Sequence, residues 1–297
     1  MRIVAVVVTY NRKEYLLKNI EALLGQEGAA TDILIVDNAS TDGTQEAVAS
    51  YCEKGQILYY NTGANLGGAG GFNYGIRRAW ELGYDAFWLM DDDAYPYPDA
   101  LAKFIQAHED LHGDYGYLAG IVLWRDGTEC RMNKLQPKGD GTDAAHPYRR
   151  IEFSTFVSLF LPRQTVEEFG LPIKEFFIWG DDIEYTRRVT AKKPAYMVPE
   201  SKTLHDTADN VGSNIALDDG RLDRYRFAYR NEMYTARKEG LRRRIYQRLR
   251  IWMHIWRVIR FSNGKKREKI RLIREASREG KSFHPEIEYV TPVGENE

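Results

Sequence analysis

Three consecutive carboxylates, Asp91, Asp92 and Asp93, follow the apolar run Phe87, Trp88, Leu89, Met90. Like charges so close raise one another's pKa unless a cation sits among them. Side chains alternate along an extended chain, so Asp91 and Asp93 can share a face while Asp92 points elsewhere. A hard divalent ion, Mn2+ or Mg2+, held by one or two carboxylates and completed by substrate phosphates, fits that pair. An acidic surface turn is the plainer alternative, and the apolar run before the cluster argues against it. A second acidic pair, Asp181 and Asp182, opens a predicted helix directly after Phe176, Phe177, Ile178, Trp179 and Gly180. Compensation of the helix dipole accounts for such aspartates without chemistry. An apolar wall beside a carboxylate is also how a general base is tuned.

Two further stretches could hold a ligand. Asp37 and Asn38 end an apolar run, at the position where α/β folds bind nucleosides. A carboxylate there could accept hydrogen bonds from a base or ribose, and the following Thr41 or Asp42 reads as a helix cap. Residues 65–72 form a glycine-rich turn that feeds a helix, and the bare backbone at Gly67, Gly68, Gly70 and Gly71 can approach a ligand closely. No placement of GxGxxG fits this run, because position 73 is Asn, and no GK[ST] follows as in a P-loop. His205, in a polar stretch after Pro199, reads by itself as a lone surface histidine.

These groups need a scaffold that gathers them. Short apolar runs at Ile3–Thr9, 33–37, 57–60 and 87–90 alternate with amphipathic stretches at Lys13–Leu24, 44–51 and 72–82. That alternation predicts βαβ units and a mostly parallel central sheet, with functional groups at the carboxyl ends of its strands. The polar clusters do fall there: Thr9, Tyr10, Asn11 and Arg12 after the first run, Asp37 and Asn38 after the second, residues 65–71 after the third, and the aspartates after the fourth. Residues 124–150 are rich in Gly, Asp and Lys and read as a long loop or insertion, after which 153–161 resumes the core. A helix to about Thr190 and a strand near 195–198 follow; 201–223 reads as a mobile loop, and the chain from Tyr225 onward as helical.

Together, TYNR (9–12), VDNASTDGT (36–44), NLGGAGGF (65–72), MDDD (90–93) and WGDDIEYTRR (179–188) resemble the nucleotide-sugar glycosyltransferases of family 2. The resemblance covers about residues 1–235 and implies the GT-A fold, an α/β, Rossmann-like nucleotide-sugar-binding domain. It divides the chain into a donor-binding half over about 1–123, an acceptor-side half over about 151–235, and a basic helical region over 236–297. The glycine-rich block with three aspartates is most similar to the bacterial galactofuranosyltransferases, which makes UDP-galactofuranose the first donor and dTDP-rhamnose the second. By this resemblance the donor lies on Thr9, Tyr10, Asn11, Arg12, Asp37, Asn38, Asn65, Gly67, Gly68, Gly70, Gly71 and Asp92. Asp91, Asp93 and His205 hold Mn2+ or Mg2+, Asp182 is the base, Asp181 orients the acceptor hydroxyl, and Trp179 and Gly180 lie beside the sugar. The implied reaction is a single displacement with inversion, onto a hydroxyl of a cell-surface glycan or lipid-linked precursor. The QxxRW pattern of processive relatives is absent.

Charge separates the two ends of the chain. The 297 residues carry a net charge of −1, yet residues 241–281 hold 15 Lys/Arg against 3 Asp/Glu. Leu241, Ile245, Leu249, Trp252, Trp256 and Ile259 recur there at helical spacing. Such a segment suits an interfacial helix on an anionic membrane. It equally suits a helix packed on the catalytic domain or on a second subunit. Cys52 and Cys130 offer neither metal-binding spacing nor a disulfide framework, which fits a reducing compartment, and no run is long enough to span a bilayer. The expected location is therefore cytoplasmic, peripheral at most to the inner face of the plasma membrane. Two rival readings stand. A nucleotidyltransferase also uses strand-end aspartates and a divalent ion, but its glycine-rich, lysine-containing loop is replaced here by TYNRKEY. A non-catalytic membrane- or nucleic-acid-binding protein is opposed by Asp91, Asp93 and Asp182 occurring together, and no aromatic-basic RNA motif is visible, so nucleic acid is not an expected partner.

Overall fold

A computed structural model of the chain describes residues 1–138 and 147–290. Part of the stretch expected as a long loop, residues 139–146, and the end of the basic region, 291–297, lie outside the described residues. In chain order the elements are β1 (Ile3–Thr9), α1 (Lys13–Leu24), β2 (Asp32–Asp37), α2 (Thr44–Glu53), β3 (Leu58–Asn61), α3 (Gly67–Glu81), β4 (Ala86–Asp91) and β5 (Ala94–Pro96). Then come α4 (Ala100–Asp110), β6 (Tyr117–Leu123), β7 (Arg149–Arg150), β8 (Leu159–Pro162), α5 (Arg163–Phe169), α6 (Asp181–Thr190) and β9 (Ala195–His205). Three helices close the chain: α7 (Leu222–Lys238), α8 (Leu241–Phe261) and α9 (Lys266–Ser282).

All seven residues of β1 are buried, as a strand must be when helices cover both faces of its sheet. The sheet runs β3-β2-β1-β4-β8-β6-β9-β5, with β7 on β9. Its first four strands are parallel, and the register sets Thr9 beside Asp37 and Val8 beside Asp91, so three polar clusters leave one edge together. β8 enters antiparallel to both β4 and β6, and β9 returns parallel to β6. Parallel pairing is thus unbroken only in the donor-side half. Trp88, Phe104 and Phe160 pack on one face of the sheet, and Phe72, Phe156 and Tyr185 on the other.

The structure corrects three expectations. First, the glycine-rich run is not a turn ahead of a helix that begins near 72; α3 starts at Gly67 and includes it. Gly71 and Gly75 are one turn apart on the face that meets the sheet, while Gly67, one turn earlier, packs against the Phe177 backbone. A Cβ at Gly71 would lie 2.5 Å from Val8 Cγ1, and one at Gly75 2.5 Å from Val6 Cγ1 and 2.8 Å from Val36 Cγ2. Their absence of side chains lets the helix backbone rest directly on β1 and β2, and this packing overrides the poor helix propensity of glycine. Second, β9 does not stop near 198. A register shift between Gly120 and Ile121 lets it continue to His205, where it pairs with the short β5, Ala94 opposite His205. Third, the polar stretch after His205 is anchored rather than free. Ile215 and Ala216 are buried with Tyr225, Tyr229, Ile255, Val258 and Ile273 in a core formed by α7, α8 and α9. Lys269 of α9 is fully buried, and its Nζ donates to Ala216 O at 3.1 Å and lies 2.6 Å from Asp219.

Among the described residues no helix is long and apolar enough to cross a membrane, and Cys52 and Cys130 are free thiols. The seat of α3 on β1 and β2 can be tested at Gly75. A valine there must displace two β-branched side chains of a rigid sheet, which costs about 2–3 kcal/mol by overpacking. Gly75→Val is expected to lower the urea midpoint with little change in slope. An unaltered midpoint would mean that the helix does not rest on the sheet in this way.

Candidate active site

β4 ends at Asp91, and the turn after it carries Asp92 and Asp93 into β5, whose Ala94 faces His205 across the sheet edge. One ligand atom each from Asp91, Asp93 and His205 lies within 4.8 Å of the other two. Two carboxylate oxygens and an imidazole nitrogen form a donor set that fits Mn2+ or Mg2+ when substrate oxygens complete the shell. Asp92 turns away from this set, as strand alternation predicts. Its Oδ2 accepts from Thr9 Oγ1 at 2.8 Å, and its Oδ1 lies 3.2 Å from Arg12 Nη1. The second guanidinium nitrogen of Arg12 donates to Asp93 Oδ2 at 2.7 Å, and the group stacks over the Tyr15 ring at 4.3 Å.

His205 is oriented by a residue that the sequence did not single out. Asn133 Nδ2 donates to Thr155 Oγ1 at 2.8 Å, which turns its Oδ1 toward His205 and accepts Nδ1–H at 2.9 Å. Nε2 is thereby left facing Asp93 Oδ1 at 3.2 Å, on the side where a cation would sit. Burial alone would lower the His205 pKa, but bonding to Asp93 and Cys130 and the charges of Asp93 and Asp91 outweigh it and raise the value to about 10. Burial would raise Asp93, and His205 with Arg12 reverses this and brings it to about 2. Asp91, which no cation among the described residues contacts directly, is pushed up to about 6 by burial and by the charge of Asp93. Asp92 rises to about 7, again through burial, with Arg12 acting in the opposite direction. A divalent ion would replace the proton on His205 and relieve Asp91.

The second acidic pair sits in the first turn of α6, where Asp182 Oδ1 accepts the Ile183 N–H at 2.7 Å. The loop leading into it is strained: Phe177, Trp179 and Gly180 all have positive φ, of 61°, 65° and 88°. Such residues cost about 1–3 kcal/mol each where glycine is absent and need outside support. Asn231, fully buried on α7, gives it. Its Nδ2 reaches the carbonyls of Phe176 at 2.9 Å, Ile178 at 3.3 Å and Trp179 at 2.9 Å. From the other side the Ala69 N–H of α3 donates to Phe177 O at 3.1 Å. Burial pushes both carboxyls up, Asp182 to about 7 and Asp181 well above the usual carboxylate range, and the charge of Asp91 acts on each in the same direction.

One cavity of about 1250 Å³ joins the two acidic clusters. Thr9, Tyr10, Arg12, Asn38, Asn65, Gly67, Gly68, Trp179, Gly180 and His205 line it together with Asp91, Asp92, Asp93, Asp181 and Asp182. Asn38 donates to Gly67 O at 3.0 Å, while its buried Oδ1 has no partner among the described residues and can accept from a ligand. Four residues expected on the donor do not face the cavity. Asp37 is fully buried and accepts from Ser40 N–H at 2.8 Å and Tyr59 O–H at 2.5 Å. Asn11 Oδ1 accepts the Thr41 N–H at 2.7 Å, and Gly70 and Gly71 pack against Leu66 and Val8. These four support the cavity wall from behind, Gly70 and Gly71 within α3, Asp37 at the end of β2 and Asn11 in the loop after β1. The far wall belongs to the C-terminal helices, with Tyr225 and Tyr229 of α7 and Arg250, His254 and Arg257 of α8. Trp179 and Tyr225 pack edge to face at 5.1 Å between ring centroids, and both line the cavity.

Comparison with known proteins bears on the family and the fold. The family model described as glycosyl transferase family 2 matches residues 4–155. The galactofuranosyltransferase GlfT1 of Mycolicibacterium smegmatis is 27% identical over 300 residues, which span 93% of this chain and 96% of that protein. Among solved structures, GalNAc-T7 with UDP, GalNAc and Mn2+ superposes with a TM-score of 0.62 at 11% identity, over 80% of this chain and 48% of that one. The mannosyltransferase PcManGT from Pyrobaculum calidifontis, in complex with GDP-Man and Mn2+, gives 0.57 at 14% identity, over 95% and 76% of the two chains. At these identities the solved structures share the GT-A fold with this chain.

The Asn133 contact makes a specific prediction. Residues that orient a ligating histidine typically contribute tenfold to a hundredfold in metal affinity. Asn133→Leu is expected to weaken Mn2+ binding, measured by titration calorimetry on the folded variant, by about tenfold or more. Unchanged affinity would remove His205 Nε2 from the cation site.

Proposed function

We propose that this chain, which belongs to glycosyl transferase family 2, moves galactofuranose from UDP-galactofuranose onto an acceptor hydroxyl of a glycan or lipid-linked precursor, with inversion. The observation that carries this reading is the single cavity shared by the Asp91, Asp93, His205 set and the Asp181, Asp182 pair. One set suits a diphosphate and its cation. The other suits an acceptor. The extent of the likeness to GlfT1 favours galactofuranose over the rhamnose alternative.

Asp91, Asp93 and His205 would hold a divalent cation, which would supply positive charge to the diphosphate leaving group. Arg12, bonded to Asp92 and Asp93, fixes the orientation of both carboxylates and offsets part of their charge. The unpartnered Asn38 Oδ1 accepts a hydrogen bond from the nucleoside, and Gly68, open to the cavity in the first turn of α3, leaves room for phosphate beside a helix N-terminus. Trp179 and Tyr225 present aromatic surface to the acceptor sugar, and Asp181 fixes its hydroxyl. Asp182 takes the hydroxyl proton as the oxygen attacks the anomeric carbon. Much of the acceleration comes from holding the two reactants in line.

Four outcomes test this. Nucleotide release across UDP-, dTDP- and GDP-sugars, with and without Mn2+ or Mg2+, is expected only with UDP-galactofuranose and a divalent ion; release from dTDP-rhamnose instead would reassign the donor. Asp93→Asn is expected to abolish cation-dependent UDP affinity, because it removes a ligand and the charge that balances the cation. Asp182→Asn is expected to retain UDP affinity and lose about 10²- to 10⁴-fold in kcat. For the wild type, Asp182 must be ionised to act as base, so kcat should rise with pH through a midpoint of about 7 and level off above it. A profile flat down to pH 5 would exclude Asp182 as the base.

A further inference from the structure

α8 is amphipathic in an unusual sense, because its apolar side is the one that remains exposed. Ile255 and Val258 face inward and are buried, yet Leu249 is 65% exposed, Trp252 68% and Trp256 57%. With Leu241, Ile245 and Ile259 these form a stripe about 80° wide at about 100° per residue. Arg244 and Arg248 flank it on one side, and Arg242 and Arg260 on the other; all four are exposed. The helix holds seven arginines and no acidic residue. Farther round, Arg243, Arg250 and Arg257 recur every seventh residue and line the active-site cavity. One helix thus carries an outward apolar stripe, a cationic border and a wall of the cavity.

We propose that α8 lies in the headgroup layer of an anionic lipid bilayer with this stripe downward, so that the cavity, walled by the opposite side of the same helix, stands one helix diameter, roughly 10 Å, above the membrane and receives acceptors carried in it. Tryptophan and aliphatic side chains bordered by arginine match the transition from acyl chain to lipid phosphate. A second copy of this chain is the poorer occupant. A two-fold interface sets the same patch against itself, and the arginines bordering both edges of the stripe would meet arginines with no carboxylate on α8 to neutralise them. Delivery of the acceptor rests on the glycosyltransferase reading, whereas membrane binding does not, so flotation and nucleotide release fail separately.

The test is flotation of the full chain with vesicles of phosphatidylcholine alone and of phosphatidylcholine mixed equally with phosphatidylglycerol, at low and high salt. The wild type is expected to float with the anionic vesicles at low salt, to dissociate at high salt, and to remain behind with the neutral ones. Trp252→Ser with Trp256→Ser is expected to weaken partition about tenfold or more, with UDP affinity and activity on a water-soluble acceptor unchanged. Arg244→Gln with Arg248→Gln is expected to weaken it also, and gives an independent arm should the tryptophan variant misfold. Absence of wild-type flotation under every condition overturns the proposal. So does a wild-type dimer in sedimentation that the tryptophan variant converts to monomer while vesicle binding stays nil.

Discussion

The five aspartates of the two acidic clusters face one cavity, and among the described residues only Arg12 and His205 contact them as cations. Two unscreened like charges 4 Å apart repel by about 4 kcal/mol even at an effective dielectric constant of 20. A domain is stable by about 5–15 kcal/mol in all. The cluster therefore needs compensation, and its distribution defines the site. Arg12 and His205 satisfy Asp92 and Asp93 by direct contact. Asp93 alone is held low, whereas Asp92 despite Arg12, and Asp91, Asp181 and Asp182 with no such partner among the described residues, hold their protons to higher pH. The remaining demand for positive charge lies between the two acidic groups, where a diphosphate-bound cation and an acceptor proton both find a use.

The scaffold serves this arrangement at several removes. Glycine at 71 and 75 seats α3 on the sheet, and α3 in turn supplies the Ala69 N–H that grips the strained loop before Asp181. The opposite grip comes from Asn231 on α7, so the C-terminal helices help to place Asp181 and Asp182 as well as to wall the cavity. His205 arrives only because β9 shifts register and runs on to meet β5. Asn133 then selects which of its nitrogens faces Asp93.

Features carried by contiguous residues were legible in the sequence. The buried run of β1, the aspartates 91–93 at the end of β4 and the pair at the start of α6 all stand where their local pattern puts them. What depends on distant contact was not. Asn133 and Asn231 are single asparagines whose roles come from partners 72 and 52 to 55 residues away. A helix-interior asparagine on the buried face of α7 was the one available hint for the second, since asparagine is a poor helix former. The start of α3 was misplaced because glycine favours turns unless packing repays it, and the sheet that does so lies elsewhere in the chain. Asp37 stands at the expected strand end, but Tyr59 and Ser40 occupy its oxygens from neighbouring segments. The stripe on α8 was visible, whereas its exposure could not be read from spacing.

The most direct measurement is anomalous diffraction from crystals grown with Mn2+ and UDP. A single manganese peak is predicted at the junction of Asp91, Asp93 and His205 Nε2, with the diphosphate oxygens of UDP completing its shell and Asp92 turned away toward Thr9 and Arg12. UDP bound in the cavity with the manganese coordinated by other residues, or with no manganese at all, would contradict it.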